Sequence, residues 1–289
     1  MDVRRGLASQ SYAADDSLAM AIELSQSLGK PLLIEGEAGV GKTEAAKALA
    51  SLLDCELIRL QCYEGLDAQH ALYDWDYQRQ LLAIQMAGSA DPEELKKTLY
   101  SDDFLIKRPL LNAIASKKPV VLLIDEVDRA DEEFEALLLE VLSDFQISIP
   151  ELGTFTAVSR PRVILTSNGV RELSDALRRR CLYHYLDYPD AERELEIIKA
   201  RIPHINQNLA NQLVNVVQRL RTAALRKSPG IAETLDWAAS LMHMDVDDLY
   251  ANRDAVHNSL SALIKTREDL QYIRNADEEL IFPMMDTNV

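Results

Sequence analysis

The sequence predicts an α/β domain on a parallel sheet, followed by a small all-helical domain. Three observations carry this expectation. Residues 120–124, Val-Val-Leu-Leu-Ile, form a continuous apolar run, as a strand buried on both faces requires. Shorter apolar runs at 30–35, 57–60 and 162–166 alternate with helix-forming stretches, the pattern that builds parallel sheets. Beyond Tyr188-Pro189 only helical patterns follow, over 191–200, 209–225, 231–242 and 254–265. The implied boundaries are 1–187 for the first domain, 188–268 for the second and 269–289 for a mixed, acidic, loose C-terminal tail.

Each element has a local reason. Residues 15–28 carry the apolar spacing of an amphipathic helix leading into the strand at 30–35. Residues 44–53, rich in Ala, Leu, Lys and Glu, form a helix. The segment 61–82 crowds Tyr63, Tyr73, Trp75 and Tyr77 among acidic residues, a composition suited either to protein contact or to packing on the sheet or a neighbouring subunit. Asp91 and Pro92 stand as N-cap and first residue of a short helix. A helix over 108–116 ends at Lys117-Lys118-Pro119, and one over 131–144 opens with an acidic turn. Residues 146–158 read as a hairpin around Pro150-Glu151-Leu152-Gly153. His70 reads as a surface or capping residue, and Trp237 as core of the helical domain.

Between the first strand and its helix stands Gly36-Glu37-Ala38-Gly39-Val40-Gly41-Lys42-Thr43, followed by Glu44. This fits G-x-x-x-x-G-K-[ST], the loop that wraps the phosphates of a nucleoside triphosphate. Glycines let successive N–H groups turn inward as an anion nest, and the following helix points its N-terminus at the phosphates. Lys42 supplies a point charge at the β- and γ-phosphates, and the Thr43 hydroxyl is a ligand for Mg²⁺. Asp125-Glu126 follows the apolar run at 120–124, at the carboxyl end of a strand, where α/β sheets bind ligands. Asp125 is placed to hold Mg²⁺ through its waters, and Glu126 to polarise the water that attacks the γ-phosphate. Asn168, at the end of another apolar strand, offers an uncharged amide to that water or to the phosphate. Arg178-Arg179-Arg180 is unusual in so acidic a chain. It reads as a helix terminus offsetting its dipole, or as an arginine finger reaching the nucleotide of a neighbouring subunit.

These sites, in this order, resemble the AAA+ ATPases over roughly residues 10–265. In that resemblance 36–43 is Walker A, 121–126 is Walker B and Asn168 is sensor 1. The finger aligns best with Arg180, with Arg179 as runner-up, and the hairpin at 146–158 is similar to the pre-sensor hairpin of one AAA+ branch. The runs LLIDEVDRADEEFEALLLEVLSDFQISIPELGT and ILTSNGVRELSDALRRRCLYHYLDYPD are similar to the MoxR group, in particular to the CoxD-like ATPases encoded with carbon monoxide dehydrogenase. The resemblance implies an ATPase using ATP and Mg²⁺, with the second domain as a lid. It further implies a ring homo-oligomer, a hexamer, acting as a chaperone on a metalloenzyme client such as a molybdenum hydroxylase, beside a von Willebrand A-domain protein. Peripheral membrane association is left open. One departure stands out: where many relatives carry a sensor 2 arginine in a Ser-Pro-Arg-like context, this chain reads Ser228-Pro229-Gly230-Ile231, leaving Arg226 or Lys227 as substitutes or a weakly sensing lid.

The chain has 289 residues and a formal net charge of −16, which argues against a nucleic-acid surface. Residues 1–10 lack the apolar stretch of a signal peptide, and the sequence contains no apolar run of membrane-spanning length. Cys55, Cys62 and Cys181 form no CxxC pair, which suits reduced thiols in a cytoplasm. A nucleotide-gated scaffold and a nucleic-acid motor remain the rival readings, the second weakened by the charge.

Overall fold

The continuous run at 120–124 forms an interior strand of a sheet, in a computed structural model that describes residues 2–88 and 91–283. Among these residues the strands are β1 (Leu32–Glu35), β2 (Glu56–Gln61), β3 (Tyr73–Trp75), β4 (Leu105–Lys107), β5 (Val120–Asp125), β6 (Gln146–Ile149), β7 (Gly153–Thr156), β8 (Arg162–Ser167) and β9 (Leu182–Tyr185). Internal contacts divide the chain into two compact units. One comprises Asp15–Glu35 and Thr43–Tyr185, with the residues up to Val3; the other comprises Arg4–Ala14, Gly36–Lys42 and the chain from Leu186 onward.

The first unit is built on a five-stranded parallel sheet of order β2-β5-β8-β1-β9. Every residue of β5 is buried, which is why its sequence shows no alternation. Register sets the chemistry at the strand ends: Gln61 lies opposite Asp125, and Ile124 opposite Leu165. Asp125 therefore emerges beside the end of β8, one residue ahead of the turn carrying Asn168. The helix Glu132–Asp144 is capped by Asp131, which accepts from the Phe134 N–H at 2.9 Å. It buries Phe134, Leu138, Val141 and Leu142 at helical spacing. The expected hairpin forms, with β6 and β7 antiparallel and Ile149 opposite Gly153.

The aromatic segment divides in two. Trp75 is buried in a ribbon of β3 against β4, edge-on to Tyr73 and to Tyr100, with ring centroids 6.4 and 5.2 Å away. Tyr63 and Tyr77 are exposed. Tyr77 opens a helix, Tyr77–Ala87, that also exposes Leu81, Leu82, Ile84 and Met86.

The second unit packs the helices Ala191–Arg201, Gln207–Thr222, Ile231–His243 and Arg253–Leu263. Trp237, fully buried, donates its indole N–H to Ser259 Oγ at 2.9 Å. A buried ion pair ties three of the helices: Arg221 meets Glu194 through two N–H groups at 2.7 and 2.8 Å, and the Thr234 hydroxyl and Gln218 amide complete the carboxylate's partners. The loose tail expected from residue 269 is corrected here. Helices Arg267–Asn275 and Asp277–Leu280 continue the fold, and Ile273, Leu280, Ile281 and Phe282 are buried in the helical core. Their apolar side chains have more to gain from burial than the surrounding charges have to lose, because those charges can remain at the surface. Residues 284–289 of that expected tail lie outside the described residues. Among the described residues no helix is long and apolar enough to cross a membrane.

Candidate functional site

The glycine loop bends as the motif requires, with φ of +81° at Gly39 and +101° at Gly41. Lys42 is buried, and its ammonium donates to the carbonyls of Gly36 and Glu37, both at 2.7 Å. The loop is thus folded round its own lysine, whose charge-assisted bonds would be stronger to phosphate oxygens than to neutral carbonyls. Val40 packs inward, Glu37 and Ala38 are exposed, and Glu44 pairs with Lys47 along the helix Lys42–Leu52 at 2.6 Å.

In the first unit, Asp125 is the hub of a dense cluster. The Thr43 hydroxyl lies 3.1 and 3.2 Å from its two oxygens. Thr166, on β8, donates to Oδ1 at 2.5 Å and accepts the Glu126 N–H at 2.9 Å. Arg59, on β2, reaches Oδ2 with Nε at 2.9 Å and Nη2 at 2.6 Å. Glu126 sits in the left-handed region, φ 56° and ψ 49°, a costly conformation for a non-glycine residue and one that gathers at functional sites. Its carboxylate pairs with Arg129 at 2.6 Å. Asp128, buried in the same turn, accepts from the N–H groups of Asn168 at 3.2 Å and Val170 at 2.9 Å, fixing the turn after β8 to the turn after β5. Asn168 itself is half-buried. Arg59, Arg129, Asp128 and Thr166 were not legible as site residues. Only strand register brings Arg59 and Thr166 to Asp125, and Asp128 and Arg129 fall outside the contiguous Asp125-Glu126 motif.

The three arginines end the helix Asp175–Arg180. Arg178 lies 3.6 Å from Glu172 and over the Tyr183 ring. Arg180 donates to Ser143 Oγ at 2.8 Å, and Arg179 is exposed with no ion pair among the described residues.

Within the second unit, Gly230 has no room for a side chain. Gly230 is the N-cap of the helix Ile231–His243, and the Ile231 N–H donates to the Gly39 carbonyl at 2.9 Å. A Cβ on Gly230 would lie 2.9 Å from Gly39 Cα and 3.0 Å from its carbonyl carbon, so the two glycines meet backbone to backbone. Glu233 accepts the Gly230 N–H at 3.1 Å. Arg226 points to Glu268, 3.6 Å away, and its backbone and that of Lys227 are held by the buried Asp269.

Cys62 reports the charge around this turn. Its thiol is pushed up to about 12, by burial first and then by Asp125, Asp128 and Glu126. Burial alone takes Cys181 to about 12. A thiol with so high a pKa carries almost no thiolate at pH 8, and the thiolate is the nucleophile. Native protein treated with a maleimide at pH 8 is expected to be labelled at the half-buried Cys55 alone, with Cys62 and Cys181 labelled only after unfolding. Peptide mass spectrometry reads the sites directly.

The donors present suit Mg²⁺, which takes hard oxygen ligands such as a hydroxyl and a carboxylate. The glycine loop and its buried lysine mark a P-loop ATPase, and the family works on ATP with Mg²⁺. Residues 31–181, more than half of the chain, match the AAA domain (dynein-related subfamily), and the chain belongs to that family. It is 25% identical over 256 residues to the gas vesicle ATPase GvpN of Haloferax mediterranei, covering 82% of this chain and 72% of that protein. It is also 25% identical over 259 residues to an uncharacterized protein of Staphylococcus aureus, covering 87% and 90% respectively. Two point mutants of Thermotoga maritima RuvB share the fold, each with TM-score 0.51, at 21% and 20% identity over 91% of this chain and 74% of theirs. AAA+ proteins typically form oligomeric rings.

Proposed function

We propose that this ATPase is a ring-forming remodeller of a protein client, of the MoxR kind. The observation that carries the reading is the basic helix end. In a chain of net charge −16, Arg179 and Arg180 stand exposed without a carboxylate partner among the described residues. An uncompensated guanidinium pair suits delivery to the phosphates of a neighbouring subunit, where an arginine finger stabilises transition-state charge. Arg180 is the finger, and its bond to Ser143 is weak enough to exchange for phosphate.

Glu126 polarises the attacking water, with Asn168 orienting it, and Lys42 holds the phosphates in the loop formed by Gly36 to Thr43. Thr43 and Asp125 hold Mg²⁺, which supplies charge neutralisation on the phosphate oxygens. The helices from Ala191 to Leu263 serve as the lid. The exposed apolar residues of the helix Tyr77–Ala87 favour contact with a protein over contact with a nucleic acid, and the net charge argues the same way. The hexamer, a metalloenzyme client such as a molybdenum hydroxylase, and a von Willebrand A-domain co-worker complete the reading. They are supported by the likeness of the 122–154 and 164–190 runs to MoxR sequences.

Two mixtures test it. Arg180→Ala and Lys42→Ala proteins, each inactive alone, are expected to regain hydrolysis when combined, because hybrid interfaces pair an intact loop with an intact finger. Absence of any regain rejects the shared site. Adding the apo form of a molybdenum hydroxylase is expected to change the turnover rate; a rate indifferent to it favours a nucleotide-gated scaffold.

A further inference from the structure

Asp125 is a buried carboxylate of the site, and its acceptor capacity is full. A carboxylate offers about four lone-pair positions. Here the donors are the hydroxyls of Thr43 and Thr166 and two N–H groups of Arg59. A cation or its water can reach Asp125 only if one of these donors leaves. Thr166 is buried, and its oxygen is also committed to the Glu126 N–H, so it is poorly placed to move. Thr43 is itself a ligand in the proposed site. Arg59 differs from both. Its side chain is 48% exposed, against 3% for Asp125, so solvent is available to receive the guanidinium when it lets go. The Gln61 amide oxygen on the same strand accepts from Nη2, giving the displaced group a partner on the way out.

Charge points the same way. Arg59 neutralises Asp125 inside a low-dielectric setting, which a divalent cation would otherwise do. The two cations compete for one carboxylate. We propose that Arg59 is a displaceable counter-charge, a positioning residue that holds Asp125 in the absence of metal and sets how much Mg²⁺ is needed to load the site. This rests on the reading of Asp125 as a metal ligand, and the test separates the two.

Mn²⁺ serves as the probe, with free ion counted by electron paramagnetic resonance in the presence of ADP. Arg59→Gln is expected to bind Mn²⁺ about tenfold more tightly than the unaltered protein, equivalent to about 1.4 kcal/mol. ADP affinity in EDTA should stay unchanged, since no metal is then competing. Arg59→Lys keeps the charge and loses the paired N–H geometry, so its affinity should fall between the two. It also carries the test if the glutamine variant does not fold, since tighter binding than the unaltered protein is then required of it. Asp125→Asn is expected to weaken Mn²⁺ binding. If Asp125→Asn weakens binding while neither Arg59 variant strengthens it, the counter-charge role is wrong and the ligand assignment stands. If Asp125→Asn has no effect, both fall. A loss of ADP affinity in EDTA with Arg59→Gln would mark Arg59 as a mere structural support.

Discussion

Replacing Glu126 with Gln is expected to leave ATP binding intact and to slow hydrolysis by about 10²- to 10⁴-fold, the usual worth of a general base. The substitution keeps the shape of the side chain and removes only the charge. The backbone is held independently, by the bond from the Glu126 N–H to Thr166, so the left-handed turn should survive. The Glu126 carboxylate is paired with Arg129, so that pair has to open before the carboxylate can turn to a water. Equilibrium binding of a fluorescent ATP analogue, measured beside steady-state phosphate release, checks both halves. Turnover equal to that of the unaltered enzyme would remove Glu126 from the role.

Placing an arginine at position 230 should harm this protein. Gly230→Arg places a Cβ 2.9 Å from Gly39 Cα, closer than real Cβ atoms come, against a backbone that also accepts the Ile231 N–H. Overpacking of this kind costs about 1–3 kcal/mol. For a chain of this size that corresponds to a fall in Tm of about 2–4 °C per kcal/mol. The contact is made to the phosphate loop itself, so ATP affinity should drop as well. Calorimetric unfolding and nucleotide titration read the two effects. An arginine variant as stable and as tight as the original would mean that the glycine contact is incidental.

What could be read from the chain follows the range of the forces involved. The strands β1, β5 and β8 declare themselves because burial on both faces demands uninterrupted apolar runs, and the caps at Asp91 and Asp131 are local chemistry. The edge strand β9, Leu-Tyr-His-Tyr, lacks such a run because its neighbour covers only one side. The ribbon of β3 and β4 joins three-residue strands some thirty positions apart, with no local signal for either. The initial helix, Val3–Ser9, and the last two helices are short and strongly charged, so their few apolar residues did not look like a core. At the site the same limit applies. Lys42, Thr43, Asp125 and Glu126 are fixed by contiguous motifs, whereas the role of Arg59 depends on β2 lying beside β5 in one particular register. Gly230 was visible as an oddity, but its reason is a contact with Gly39, almost two hundred residues earlier.

The Thr166 hydroxyl has a consequence for timing. One oxygen gives its proton to Asp125 and takes the proton of the Glu126 amide. Any shift of the carboxylate toward an arriving ion must either drag that oxygen along or release it, and the glutamate's backbone feels the change at once. The two acidic residues are therefore linked through a neighbouring strand rather than set independently. Through a single side chain on β8, any movement of Asp125 would be felt by the backbone one residue further along the chain.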